Sequence, residues 1–275
     1  MSVAPSPLCP APFDAVAERY DEIFTQSRIG MAQRQSVWEE LGNTFQRGDH
    51  VLEIGCGTGT DACFLAERGV AVVACDSSSR MIGIAERKVA NHGGQTFKTA
   101  VKLRLLPAED IATLQGEGPF DGAFSNFGAL NCVPDLARLA NNLHDLLKPG
   151  ARLLLCLLGP CCWWEIGWYL AHGKPQKAFR RLQVGGTTAR IADGEPVKVQ
   201  YPSVRVLARM FAPHFRLKSV KGVGVLVPPS YVEPWANRFP SLLDFGVRAD
   251  TLLGHCPGIR QFADHILLKF EHRDA

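Results

Sequence analysis

The chain has 275 residues, of which 46% are hydrophobic and 21% charged, which excludes a disordered protein and indicates one or two globular domains. Thirty basic and 27 acidic residues leave a net charge of +3, too small to indicate a nucleic-acid partner. The nine cysteines include no paired Cys-x-x-Cys motifs, so neither a disulfide scaffold nor a zinc site of that spacing is expected. The N-terminus lacks a basic region before an apolar run, so we expect a cytoplasmic protein.

Strands alternate with helices over residues 51–158. This alternation predicts an α/β fold, a Rossmann-like, mostly parallel sheet with helices on both faces, which binds ligands at the carboxyl ends of its strands. The sign-alternating strand at 101–105 is expected near an edge. The predicted elements are helices at 13–24, 33–45, 60–67, 77–90 and 135–147, and strands at 51–54, 70–75, 101–105, 120–124 and 152–158.

The alternation ends after residue 158. Residues 159–202 are interpreted as an inserted helical lid or substrate-binding segment, and 203–275 as a part that completes the sheet with a terminal antiparallel strand. Within the latter we expect helices at 203–211 and 231–254 and strands at 216–227 and 265–270. Residues 1–45 then hold the N-terminal helices, and 46–158 form the ligand-binding core.

A glycine-rich turn, VLEIGCGTGT, follows the first strand and opens a helix. Glycines allow a sharp turn and a close approach of ligand to backbone amides. A dinucleotide-binding loop has the pattern GxGxxG, but here Gly55, Gly57 and Gly59 give GxGxG, with Thr60 at the last position. Glu53 before the loop suits a cationic or hydroxylated ligand better than a pyrophosphate.

Four further segments follow this loop in an order that carries a family resemblance. Together the five segments resemble the class I S-adenosylmethionine-dependent methyltransferases, over roughly residues 13–158. The resemblance implies a methyltransferase enzyme whose cofactor is S-adenosyl-L-methionine. The segments are VLEIGCGTG at 51–59, ACD at 74–76, LPAEDI at 106–111, FDGAFSNFGALNCV at 120–133 and LLKPGARLLL at 146–155.

The resemblance also implies roles for residues of the loop and of the second strand. Glu53, Gly55, Gly57 and Gly59 would line the methionine half of the cofactor, and Asp76 would accept hydrogen bonds from both ribose hydroxyls. The alternative for Asp76 is a helix N-cap, because a helix is predicted to begin directly after it.

The adenine would be flanked by Ala108, Glu109 and Asp110, according to the same resemblance. Many relatives have an aspartate where this chain has Pro107, so either carboxylate could serve the adenine. The alternative is that both acids are ordinary first-turn helix residues.

Residues after the fourth strand would face the methyl group. Ser125 and Asn126 are expected at the cofactor and Phe127 at the substrate, while Tyr20 lies in a segment that resembles the family's closing N-terminal helix. Tyr20 could instead be an ordinary core tyrosine. No general base stands out, and Asn126 and His172 are the candidates for a catalytic role.

The remaining sequence bears on the methyl acceptor. The SNFG segment lacks the Asn/Asp-Pro-Pro-aromatic element of DNA amine methylases, which argues against nucleic acid. Trp164 and Trp168 are four residues apart and share a helix face. This face could line an acceptor site, pack on the domain or contact a membrane surface. A basic cluster then fits an anionic acceptor, lipid headgroups or a solvated face, and comprises Lys174, Lys177, Arg180, Arg181 and Arg190.

These observations predict a methyltransferase for a small, largely apolar or amphipathic metabolite, with oxygen as the first expectation for the acceptor atom. The alternative is a non-catalytic partner protein that keeps the cofactor fold, and a nicotinamide-dependent oxidoreductase comes third.

Overall fold

A seven-stranded sheet forms the centre of the computed structural model, which describes residues 11–92, 94–190 and 194–273. A separate two-stranded hairpin lies in the segment after the fifth strand. The strands are β1 His50–Ile54, β2 Ala71–Asp76, β3 Val101–Leu105, β4 Phe120–Ser125, β5 Leu147–Leu158, β6 Thr187–Arg190, β7 Pro196–Val199, β8 Phe215–Val223 and β9 His265–His272.

The strand order in the large sheet is β3-β2-β1-β4-β5-β9-β8. The first five strands in this order run parallel, whereas β9 pairs antiparallel with both β5 and β8. The predicted mostly parallel, Rossmann-like sheet is therefore confirmed, and β3 lies at an edge as its sequence indicated. The topology places the carboxyl ends of β1, β2 and β4 side by side.

Helices cover both faces of this sheet, because parallel strands are apolar on both sides. One face carries α2, α3 and α4, and the other carries α6, α9 and a 3-10 helix at Ala108–Gly116. The α-helices are α1 Ala17–Tyr20, α2 Arg28–Thr44, α3 Thr60–Ala66, α4 Ser79–Asn91, α5 Gln95–Ala100, α6 Leu136–Leu146, α7 Trp163–Ala171, α8 Pro175–Ala178, α9 Val204–Phe211, α10 Glu233–Arg238 and α11 Pro240–Leu253.

The first predicted helix is divided in the structure. The chain forms α1 and then a π-helix at Asp21–Thr25, and α2 begins five residues earlier than predicted, at Arg28. Ser27 sets this start, because its side chain accepts a hydrogen bond from the backbone N–H of Gly30. The apolar spacing alone did not reveal this cap.

Residues 159–202 contain a β-hairpin in addition to the helices predicted for the lid. Their described part holds α7, α8, a 3-10 turn at Arg180–Leu182 and the β6–β7 hairpin. A buried ion-pair network fixes the helices: the Arg181 guanidinium lies 2.8 Å from a Glu165 oxygen and 2.7 Å from an Asp264 oxygen. All three side chains are almost fully buried, so the segment is bound firmly to the start of β9.

No helix within the described ranges is long and apolar enough to cross a membrane. The cysteines of those ranges are all free, and most of them are buried, as expected from their apolar surroundings in the sequence.

Candidate active site

The glycine loop joins β1 to α3 at the carboxyl edge of the sheet. Gly55 has φ +72°, and a Cβ built there would lie 2.3 Å from the Ala129 Cβ, so a side chain is sterically excluded. Gly57 has φ +52°, and its missing Cβ would enter open space. The two glycines therefore have different functions: Gly55 allows the loop to pack, and Gly57 leaves room beside the backbone.

The Asp76 carboxylate holds this loop against the end of β2. One oxygen accepts a hydrogen bond from the backbone N–H of Gly57 and the other from that of Ser78, both at 2.8 Å. Burial raises the pKa of Asp76, although both backbone bonds oppose this shift. The N-cap of α4 is Ser78, so the N-cap alternative for Asp76 is wrong.

A cavity of about 350 Å³ opens beside the loop, and we call it the edge cavity. Apolar side chains from the chain after β3 and after β4, such as Leu106 and Val133, form one part of its wall. Val197 of β7 also reaches the wall, so the hairpin contributes to the site. The edge cavity brings together eight of the residues named from the sequence: Tyr20, Gly55, Gly57, Asp76, Ala108, Glu109, Asn126 and Phe127.

Three named residues lie beneath or behind this cavity rather than in its wall. Glu53 is only 2% exposed, burial raises its pKa, and one of its carboxylate oxygens is buried without a hydrogen-bond partner. Gly59 packs on Ala85, where an added Cβ would come within 2.9 Å. Ser125 donates a hydrogen bond to the Ile54 carbonyl at 2.7 Å and ties β4 to β1.

Four other named residues are outside the edge cavity. Asp110 is exposed in the first turn of its 3-10 helix, as the sequence alternative held. Trp164 donates its indole N–H to the Val225 carbonyl at 3.0 Å, and Trp168 lies 4.4 Å from the ring of His172. His172 is exposed at the end of α7 and donates to the Trp168 carbonyl. The structure thus packs α7 on its own domain and brings none of these side chains to the cavity.

A buried polar hub beside the loop was missed from the sequence. Asp61, in the first turn of α3, accepts hydrogen bonds from Arg34, from the Trp38 indole at 2.7 Å and from the Asn126 amide at 2.9 Å. A carboxylate can only accept, so the Nδ2 of Asn126 must face Asp61. The Asn126 Oδ1 is then left buried without a partner.

A second, smaller cleft of about 30 Å³ adjoins the edge cavity and shares Tyr20, Gly57, Asn126 and Phe127 with it. Arg34 lines this cleft, and its Nε is also buried without a partner. One end of the site therefore presents an unpartnered acceptor and an unpartnered donor a short distance from the loop. Buried polar atoms of this kind are expected to meet a ligand.

Phe127 has φ +49°, which is strained for any residue with a side chain. Its ring is held from three sides: Phe24 at 5.2 Å, His265 at 5.5 Å and the Arg34 guanidinium at 4.6 Å. The strained backbone thus places an aromatic ring in the walls of both cavities.

The N-terminal segment is bound over the loop through polar contacts. Asp21 of the π-helix lies 2.8 Å from the Lys88 ammonium, and it accepts a hydrogen bond from Thr58 at 2.6 Å. The neighbouring Tyr20 lines the edge cavity, and burial raises its pKa to about 12, so its hydroxyl stays protonated. The N-terminal helices therefore lie against one side of the edge cavity, and their closure over a cofactor stays a prediction.

Comparisons with known proteins agree with this geometry. Residues 52–153 match the family model of a methyltransferase domain. The demethylmenaquinone methyltransferase of Beutenbergia cavernae is 31% identical over 145 residues, which are 52% of this chain and 55% of that protein. The chain thus spans about half the length of the curated relatives it matches.

Solved structures show the same fold. A putative S-adenosylmethionine-dependent methyltransferase from Listeria monocytogenes has a TM-score of 0.58 at 19% identity, covering 86% of this chain and 96% of its own. A mycolic acid cyclopropane synthase complexed with S-adenosylhomocysteine and CTAB has a TM-score of 0.61 at 17% identity, covering 97% and 99%. Residues 52–153 therefore match a methyltransferase-domain model, and the chain as a whole has the fold of these solved structures.

Proposed function

We propose that the protein transfers a methyl group from S-adenosylmethionine to a small, largely apolar or amphipathic acceptor. One observation carries the proposal: Gly57, Asp76 and Asn126 line a single cavity at the carboxyl edge of the sheet. The edge cavity thus combines the bare backbone of Gly57, the carboxylate of Asp76 and the unpartnered amide oxygen of Asn126.

The residues present fit this cofactor. Asp76 keeps free lone pairs after its two backbone bonds, because a carboxylate offers about four acceptor sites, and it would accept from the ribose hydroxyls. The buried, unpartnered Oδ1 of Asn126 and Nε of Arg34 suit an ammonium and a carboxylate, the two charged groups of a methionine moiety. Leu106, Ala108 and Glu109 form the wall where the adenine would lie.

When bound, S-adenosylmethionine supplies an electrophilic methyl group on its sulfonium. The chain would contribute alignment and exclusion of water, which in the best intramolecular cases lowers a barrier by about 7–11 kcal/mol. Tyr20 and Phe127 line the cavity, and their rings keep water from its inner end. The Asp61 hub fixes the rotamer of Asn126, so this oxygen is in place before any ligand binds.

Two observations support an apolar or amphipathic methyl acceptor. Phe24, Phe127 and His265 form an aromatic group beside the cavity, which suits an apolar or ring-containing molecule. Relatives about 31% identical over half the chain are named demethylmenaquinone methyltransferases, which favours an apolar acceptor of related chemistry. Oxygen stays the first expectation for the acceptor atom, and nuclear magnetic resonance of the purified product would identify it.

A labelling experiment tests the reaction. The protein is incubated with cofactor that carries a radioactive methyl group and with extract of its own host, and the products are divided into organic, protein and nucleic-acid fractions. We expect label in the organic fraction, and much less of it from the Asp76→Asn variant when the cofactor concentration is below that variant's Kd. Label only in protein or nucleic acid would overturn the acceptor class. Cofactor binding without any label would favour the non-catalytic alternative.

A further inference from the structure

The segment after α7 carries an unusual set of exposed charges. Residues 166–190 hold five basic side chains and no acidic one. Two of the five are bound internally, because Arg180 and Arg181 pair with Glu165. Lys174 and Lys177 are exposed, so this surface is basic after its internal ion pairs are counted.

The same segment exposes large apolar side chains between the lysines and the hairpin. Leu182 is 56% exposed and Val184 fully exposed. Neither side chain belongs to one of the three buried core clusters of the described chain. Large apolar side chains exposed close together in one segment are typical of an interaction surface.

A third apolar side chain of the same segment lies between the lysines and Leu182. Phe179 follows α8 directly and is 45% exposed. We define the docking face as Lys174, Lys177, Phe179, Leu182 and Val184.

The chemistry of the docking face fits one kind of occupant. Exposed apolar side chains next to lysines are the pattern of proteins that lie at a membrane interface, where apolar groups enter the acyl boundary and lysines meet phosphates. The lack of acidic residues over 166–190 complements a negatively charged surface.

We propose that the docking face binds the surface of an anionic lipid bilayer without crossing it. Phe179, Leu182 and Val184 would enter the interface, and Lys174 and Lys177 would lie against the headgroup phosphates. The proposal extends the proposed function, since an apolar acceptor would be collected from the same bilayer, but its evidence is the composition of the surface.

Vesicle sedimentation tests the proposal with the cofactor-free full chain, so its outcome does not depend on methyl transfer. The probes are vesicles of phosphatidylcholine alone and of phosphatidylcholine mixed with phosphatidylglycerol. We expect binding to the mixed vesicles that weakens at high salt. The Lys174→Glu/Lys177→Glu double variant should bind them at least about tenfold more weakly, since each lysine near the surface contributes measurably. Leu182→Ser/Val184→Ser should also bind more weakly.

The matched control is Lys98→Glu/Arg216→Glu, which changes the net charge equally on exposed positions outside the docking face. Its vesicle binding should stay within about twofold of the wild type. Equal loss in the control would show a general charge effect and overturn the proposal, as would no binding to mixed vesicles. Lysine-dependent binding to a single-stranded oligonucleotide without vesicle binding would assign the face to nucleic acid and overturn it too. S-adenosylhomocysteine affinity verifies that each variant is folded.

Discussion

Replacing Asp76 by asparagine affects both ligand binding and support of the loop, and two assays measure the two effects separately. The carboxylate accepts two backbone hydrogen bonds at 2.8 Å and, in the proposed complex, two more from the ribose. Hydrogen bonds to a charged group contribute about 1.5–3 kcal/mol each. Asparagine keeps one acceptor oxygen and replaces the other by an NH2 group that only donates, so one of the two ribose contacts would be lost, at a cost of about 1.5–3 kcal/mol. We therefore expect Asp76→Asn to raise the Kd for S-adenosylhomocysteine about 10- to 150-fold.

Isothermal titration calorimetry measures this change, and urea unfolding measures the accompanying loss of stability. Asp135→Asn is the matched control, because Asp135 also accepts a backbone N–H, at the start of α6, but does not line the edge cavity. The control should leave the Kd unchanged. A Kd for Asp76→Asn within about threefold of the wild type, in a folded variant, would refute the assignment of this carboxylate to the ribose.

The remaining predictions concern the loop, the hub and a buried histidine. Gly57→Ala should weaken S-adenosylhomocysteine binding in calorimetry. Gly55→Ala should lower the Tm more than Gly57→Ala does, because only a Cβ at Gly55 meets a neighbour within 4 Å. A larger Tm loss from Gly57→Ala, with weaker binding from Gly55→Ala, would contradict this division. Arg34→Met leaves Asp61 buried without its cation. The substitution should lower the free energy of unfolding, measured in urea, by about 3–5 kcal/mol, and a decrease below about 1 kcal/mol would count against a buried ion pair. Burial lowers the pKa of His265, so the unfolded chain binds more protons than the folded one, and the free energy of unfolding should fall as the pH drops below about 6.5. His265→Gln should flatten this dependence between neutral and mildly acidic pH, and an unchanged slope would place its origin elsewhere.

Short sequence patterns were sufficient to place the glycine loop and the acidic residue after β2 at the carboxyl edge of the sheet. A strand, a glycine turn and a helix are adjacent along the chain, so the positions of Gly55, Gly57 and Asp76 followed from short patterns. The outcome is that these three residues lie in the wall of the edge cavity. Which atoms of a ligand they bind stays a prediction.

The hub could not be predicted, because its members are far apart in sequence. Arg34 and Asp61 are 27 residues apart, and an aspartate in the first turn of a helix is common on exposed surfaces. Only the packing of α2 on α3 buries them together. A tryptophan, an arginine and an aspartate on neighbouring predicted helices were the signal available, and it is not specific.

Helical spacing also left the direction of α7 open. Trp164 and Trp168 share a face as predicted, but the spacing does not say which surface that face meets. The Val225 carbonyl after β8 binds the Trp164 indole and turns the helix toward α10. The β6–β7 hairpin was missed because its two strands are four residues each, too short for a clear alternation.

The central claim is that the edge cavity binds S-adenosylmethionine, and calorimetry with the wild-type chain tests it most directly. S-adenosylhomocysteine and NADH are titrated side by side into the same preparation. We predict saturable binding of one S-adenosylhomocysteine per chain and no heat of binding from NADH. Saturable binding of NADH, or no binding of S-adenosylhomocysteine to a folded protein, would contradict the claim.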